Sequence, residues 1–286
     1  MSGREPGGSP PRAVEFAAAP FDMVEDLCGD PAAELVVFMA GNQYMVVPDL
    51  VDGFLSAHRS IGSMFYETLP PGVIAAQLRT GGLRMGSLEL RVRPDVMASS
   101  PKALAELQRD GLVGPARTYA SNDLALLVAS GNPARVGGWA DLVRPGLRVA
   151  FPDPRTEGIG ALALEALEAA GGAGLRRKVE MEKASAGEVV FTSIHHRQGP
   201  AWLAQGATDV AVVWSTEAHY HLGRGGPFEI VAIPEADNRR GDYAAAVVAG
   251  ADHPEAAGWF VDHLCGRAGR AAYARHGFTV VSDGTA

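Results

Sequence analysis

Short unbroken apolar runs recur along this chain, and most are followed by residues with helical spacing. Residues 34–40 (ELVVFMA), 124–129 (LALLVA) and 210–214 (VAVVW) are continuous apolar runs of strand length, as expected of strands buried on both faces. Residues 61–66, 94–99, 148–151, 228–233 and 243–248 read as further strands. Between them the period changes. Val46, Val47, Leu50, Val51, Phe54 and Leu55 fall at i, i+3, i+4 spacing, with Asn42 as a candidate N-cap and Pro48 near the helix start. Helices are predicted over 73–78, 101–109, 139–142, 157–170, 254–264 and 268–276; Gly171-Gly172 and Gly277 sit where helix-ending glycines belong. Residues 184–206 read as mostly helical, broken near Gly199-Pro200. Residues 67–72 (ETLPPG) and 130–133 (SGNP) are turn clusters, and 80–93 is a Gly/Arg-rich insertion with a hairpin pattern. Residues 1–32 read as a flexible leader with a short helix over about 20–28.

Strands alternating with helices predict an α/β fold of mixed sheets with helices on both faces. There are too many βα units for one small sheet and no eightfold repeat for a barrel, so two lobes are expected. The 286-residue length agrees with about two domains. Apolar residues make up 47% and charged residues 20%, which excludes wholesale disorder. Lys+Arg 25 against Asp+Glu 33 leaves a net charge of −8, a poor match for nucleic acid. Cys28 and Cys265 form neither a disulfide framework nor a metal-site spacing.

Candidate chemistry lies in strand-end turns that lead into helices: Gly41-Asn42-Gln43, residues 67–72, and Thr156-Glu157-Gly158. Each presents backbone N–H groups at a helix N-terminus, where anions bind; each could equally be an ordinary cap. Ile194-His195-His196-Arg197 offers two imidazoles and a guanidinium to an anion, against the simpler reading of a solvated polar helix start. A metal there lacks a third ligand at fixed spacing. Trp214-Ser215-Thr216 follows the VAVV strand and reads as a cleft wall with hydroxyl donors, or as a packed Trp with a hydroxyl turn. No nucleophile elbow, phosphate loop or dinucleotide fingerprint is present, and neither cofactor nor metal is expected.

The order of these pieces resembles a known family. A strand with an AGNQ turn, the ETLPPG turn and AAQLRTGG helix, PDVMASSPKALAEL, NDLALLVASGNP, AFPDPRTEGIGALALEAL, TDVAVVWSTEA and YAAAVVAGADHPEAAGWF follow one another over about residues 34–280. This is similar to the molybdate-binding substrate-binding proteins of ABC transporters, of the type 2 periplasmic-binding fold. The resemblance implies two α/β lobes, each a mixed sheet flanked by helices, hinged and closing on an oxyanion without chemistry. Chain order implies lobe 1 from 33–122 plus 235–286 and lobe 2 from 123–234. Carried over by position, the ligand contacts are Asn42 with Gln43, Glu67 or Thr68, Thr156–Gly158 including Glu157, and Trp214 with Ser215 and Thr216. His195, His196 and Arg197 join them as a departure from the family pattern. Two more departures matter. Trp214 offers a single indole N–H, and a Glu67 carboxylate beside a dianion costs several kcal/mol. Glu67 therefore points away, pairs with Arg197, or meets a donor on another ligand.

The leading expectation is a binding protein for a small oxyanion, molybdate- or tungstate-like, or another small polar anion, served by an ABC permease. An intracellular sensor or accessory protein on the same fold is the alternative. A third is an enzyme using His195 or His196 as acid/base with Glu67. No basic segment with an apolar core opens the chain and no run of ~18 apolar residues occurs, so a cytoplasmic protein without membrane insertion is expected. That sits against the exported habit of the family it resembles.

Overall fold

The computed structural model describes residues 13–15 and 26–281. The expected leader thus lies largely outside the described residues. In chain order, the first half holds β1 (Val14–Glu15), β2 (Leu27–Cys28), β3 (Val36–Ala40), α1 (Val47–Ala57), β4 (Phe65–Leu69), α2 (Pro71–Thr80), β5 (Leu83–Met85), β6 (Leu88–Leu90), β7 (Val96–Ser99) and α3 (Pro101–Arg109). The long β8 (Arg117–Ala129) leads to β9 (Val149–Pro152), α4 (Gly158–Arg177), β10 (Val189–Thr192), α5 (His195–Ala204), β11 (Val210–Trp214), α6 (Ser215–Gly223) and β12 (Phe228–Val231). The chain closes with β13 (Arg240–Val247), α7 (Pro254–Cys265), α8 (Arg267–Arg275) and β14 (Thr279–Val280).

Eleven of these strands share one hydrogen-bonded sheet, ordered β10-β9-β11-β8-β13-β7-β3-β4-β2, with β12 and β14 also on β8. The small sheet β1-β5-β6 contains the expected hairpin. β3 runs parallel to β4 and β7, and β9 runs parallel to β10 and β11, so these strands end on a common side within each group. β8 pairs with β13 through Asp123 and with β11 from Leu124 onward. It thereby joins the two groups.

Period-2 alternation builds the cores. Leu35, Val37 and Met39 face one cluster with α1, α7 and α8, while Val36 and Phe38 face another with α2 and α3. In the second group Val210, Val212 and Trp214 face α4, whereas Ala211 and Val213 face α5. Among the described residues no helix is long and apolar enough to cross a membrane.

Four segments differ from the sequence reading. The second strand spans Phe65–Leu69, so Glu67 and Thr68 lie in β4 and the turn narrows to Pro70. Leu27–Cys28 pair with β4 as a strand where a helix was expected. β10 and α5 replace the long helix over 184–206, and Gly199-Pro200 lie inside α5. Gly199 faces β11, where a Cβ would stand in ordinary contact, 3.4 Å from the Ala211 Cβ. Finally, α4 continues past Gly171-Gly172 after a kink at those two residues.

Glu67 is fully buried in β4, where Gln77 Nε2 of α2 donates to its Oε1 at 2.9 Å. Burial pushes its carboxyl up to about 8; the Gln77 bond pulls the other way and nearby Asp26 adds to the rise. Glu67 Oε2 has no hydrogen-bond partner among the described residues, so nothing there stabilises a charge and the neutral acid is favoured. The folded state therefore holds a proton that the unfolded chain, with its ordinary value near 4.5, releases. The stability this gives is complete below the unfolded value and lost as pH rises through about 8. Urea unfolding at pH 6 and pH 9 checks this. The wild type loses on the order of a few kcal/mol relative to Glu67→Gln over that interval; parallel behaviour of the two proteins contradicts a buried neutral acid.

Candidate functional site

The carboxyl ends of the parallel strands gather around one cleft of about 430 Å3. Its walls carry the end of β3 and the residues after it (Ala40, Gly41, Asn42), the starts of α2 (Pro70, Pro71) and α3 (Ser100, Pro101, Lys102), and the start of α4 (Glu157, Gly158, Ile159). Trp214 at the end of β11 and Arg240–Tyr243 of β13 complete the lining. Both sheet groups thus contribute. The sequence places the walls this way for a local reason: β3, β4, β7, β9 and β11 are each followed, at once or within a few residues, by the cap of a helix. Ser100 is the clearest case, its Oγ accepting from Ala103 N at 3.3 Å. The start of α4 also abuts the end of β9. A Cβ on Gly160 would stand 2.4 Å from Pro152 O, so only glycine permits that approach.

Four of the sequence-predicted residues meet at the cleft: Asn42, Glu157, Gly158 and Trp214. Asn42 Nδ2 donates to the Tyr243 hydroxyl, which burial pushes well above its ordinary pKa, keeping it protonated. Glu157 is itself buried and accepts from Thr192 Oγ1 at 2.9 Å. Trp214 is 5% exposed and tilts at 57° to the Tyr243 ring, 6.1 Å away. Its ring edge occupies the space a Cβ on Gly241 would take, 2.4 Å from Cη2. Thr156, just before the α4 start, is not among the lining residues; its carbonyl oxygen is 3.8 Å from where a Cβ on Gly72 would stand.

The others lie beneath or beside the cleft. Gln43 is buried and accepts from the Tyr119 and Tyr273 hydroxyls, both at 2.7 Å. Thr68 donates to Asp26 at 2.9 Å, and Glu67 faces Gln77, which answers the question raised by its carboxylate. Thr216 accepts from Asn122 Nδ2 at 2.7 Å, and half-buried Ser215 opens α6. Arg197 forms an ion pair with Asp26, with side-chain exposures of 14% and 5%. His196 is buried and stacks on Tyr44 at 5.5 Å. The side chain of His195 lies outside the described residues.

These last contacts cross between the two groups. Asp26 and Tyr44 belong with β2, β3 and β4; Arg197 and His196 belong to α5, which packs on β9 and β11. The Cβ position of Gly41 lies 2.8 Å from His196 Cε1, so that approach also needs glycine. Sequence reasoning missed Lys102, Tyr243 and Asp26. Lys102 was reachable, because a proline-started helix after the 94–99 strand repeats the strand–turn–helix grammar used elsewhere. Tyr243 is indistinguishable in sequence from a core tyrosine. Among the described residues no group of three His, Cys, Asp or Glu side chains is placed to hold a metal ion.

Comparison with known proteins gives a consistent picture. Residues 35–279 match the family model described as bacterial extracellular solute-binding protein. The molybdate-binding protein ModA of Mycobacterium tuberculosis (strain ATCC 25618 / H37Rv) is 28% identical over 226 residues, covering 78% of this chain and 80% of that protein. The sulfate-binding protein SubI of Mycobacterium tuberculosis H37Rv superposes with a TM-score of 0.72 at 20% identity, over 87% of each chain. The periplasmic molybdate-binding protein of Azotobacter vinelandii does so at 0.70 and 18% identity, over 87% of this chain and 100% of that one. These neighbours carry the two-lobed periplasmic-binding fold expected from the sequence. With its two strand groups, its shared cleft and a family match spanning most of its length, this chain belongs to the bacterial extracellular solute-binding proteins.

Proposed function

We propose that this protein captures a small anion in its cleft and hands it to an ABC permease, without chemical turnover. The observation that carries this reading is the convergence of helix starts from both strand groups on one cavity. First-turn N–H groups lack intrahelical partners, and the helix dipole places partial positive charge there, so a negative net charge elsewhere does not oppose local anion binding. The names of the relatives, molybdate- and sulfate-binding, support the sign of the ligand.

In this reading the lobes are residues 33–122 with 235–286, and 123–234, hinged where β8 and β13 pass between them. Asn42, Gly158 and Trp214 act at the ligand, with Glu157 and Thr156 framing the α4 start. Arg197 and His196 act in closure, meeting Asp26 and Tyr44 as the walls come together. Gln43, Glu67, Thr68, Ser215 and Thr216 hold the surrounding elements in place. Delivery to a permease puts the protein outside the cytoplasm. That agrees with the family's description and opposes the cytoplasmic placement expected from the first residues.

Two measurements check this. In a thermal-shift series with molybdate, tungstate, sulfate, phosphate and small carboxylates, at least one anion raises Tm; a ligand at ~100 times its Kd adds about 2.7 kcal/mol. No shift with any of them contradicts anion capture. For closure, Arg197→Met removes the counter-charge of the buried Asp26 carboxylate and destabilises the protein by about 3 kcal/mol in urea unfolding, and Asp26→Asn in the same chain recovers most of that. Equal destabilisation of the single and double variants would mean that the pair does not couple the walls.

A further inference from the structure

The cleft is roomier and more apolar than a bare inorganic anion requires. Its two sides already meet where Gly41 lies against His196. The Asp26–Arg197 pair also spans them. With these contacts in place about 430 Å3 is present, within the roughly 300–1,000 Å3 typical of sites for organic ligands.

Donors are also scarce in this space. Pro71 and Pro101 occupy the first positions of α2 and α3 and carry no N–H. The Ala103 N–H is held by Ser100, and the Thr68 hydroxyl is turned to Asp26. Beside the single indole N–H of Trp214, two features suit an anion. The α4 start offers the N–H groups of Gly158 and Ile159, which lack i−4 partners. Lys102 lines the wall and forms no ion pair among the described residues, whereas Arg240 is forked onto Asp123. The exposed carboxylates of Glu165 and Asp242 share the lining and oppose a second negative charge. Trp214, Leu162, Pro71 and Pro101 supply apolar surface that an inorganic oxyanion leaves unused.

We propose that the ligand is an organic acid of single charge. Its anionic head lies at the α4 start with Lys102 as counter-charge, and its apolar body lies against Trp214 and Leu162. This proposal rests on the reading of the cleft as an anion-binding site. Titration calorimetry on the full chain tests it, with the monoanions benzoate, hexanoate and benzenesulfonate as organic probes and molybdate and sulfate as inorganic ones. At least one organic probe binds about tenfold or more tighter than either oxyanion, and Lys102→Gln, a surface change, weakens it about tenfold. Trp214→Leu weakens the same probe by a similar factor. Tighter binding of molybdate or sulfate than of every organic probe overturns the organic-acid assignment and leaves anion capture standing. Organic binding that neither variant alters overturns the placement. No binding of any of the five overturns both readings.

Discussion

Strand β8 carries the constraint on which the rest of the molecule depends. Its thirteen residues pair with β13 up to Asp123 and with β11 from Leu124, so a single backbone holds both strand groups in one sheet. The parallel strands of each group then deliver their carboxyl ends to the same cleft. A helix start that would cap one sheet in a single-lobed protein here faces a helix start from the other group. The chemistry of the cleft follows from this arrangement and not from any one reactive side chain.

A second constraint keeps the walls together. Asp26 and Arg197 are mostly buried, and charges in such a place are stable only when paired. Beside them His196 stacks on Tyr44, and Tyr44 meets the edge of the Tyr220 ring at 5.2 Å. The polar residues behind Asn42 form a chain of hydrogen bonds through Tyr243, and Asn122 joins Thr216 where β8 changes partners. This network fixes the orientation of the cleft's polar wall without taking part in contact with solvent.

Much of this was legible in the sequence, and the reasons are physical. Apolar runs such as residues 34–40 and 210–214 have the length and composition of strands buried on both faces, and the residues that end them open helices. That reasoning reached Asn42, Gly158 and Trp214, which line the cleft. It failed at β4, where Pro70-Pro71-Gly72 drew Glu67 and Thr68 into a turn; a neutral buried glutamic acid bonded to Gln77 looks like a solvated charge in one dimension. It could not find the partner of Arg197. Asp26 lies 171 positions away, and no periodicity links two residues that meet only when two lobes face each other. Pro200 misled for a similar reason: it suggested a break, but α5 continues through it on the surface of β9 and β11.

Small-angle X-ray scattering of the full chain, with and without the anion that raises its melting temperature, tests the central claim most directly. With ligand, the scattering matches this structure; without it, the account predicts a larger radius of gyration, from separation of the walls about β8 and β13. An unchanged profile in the two states, or a ligand-bound form more extended than this structure, would contradict an account built on closure of two lobes around a small anion.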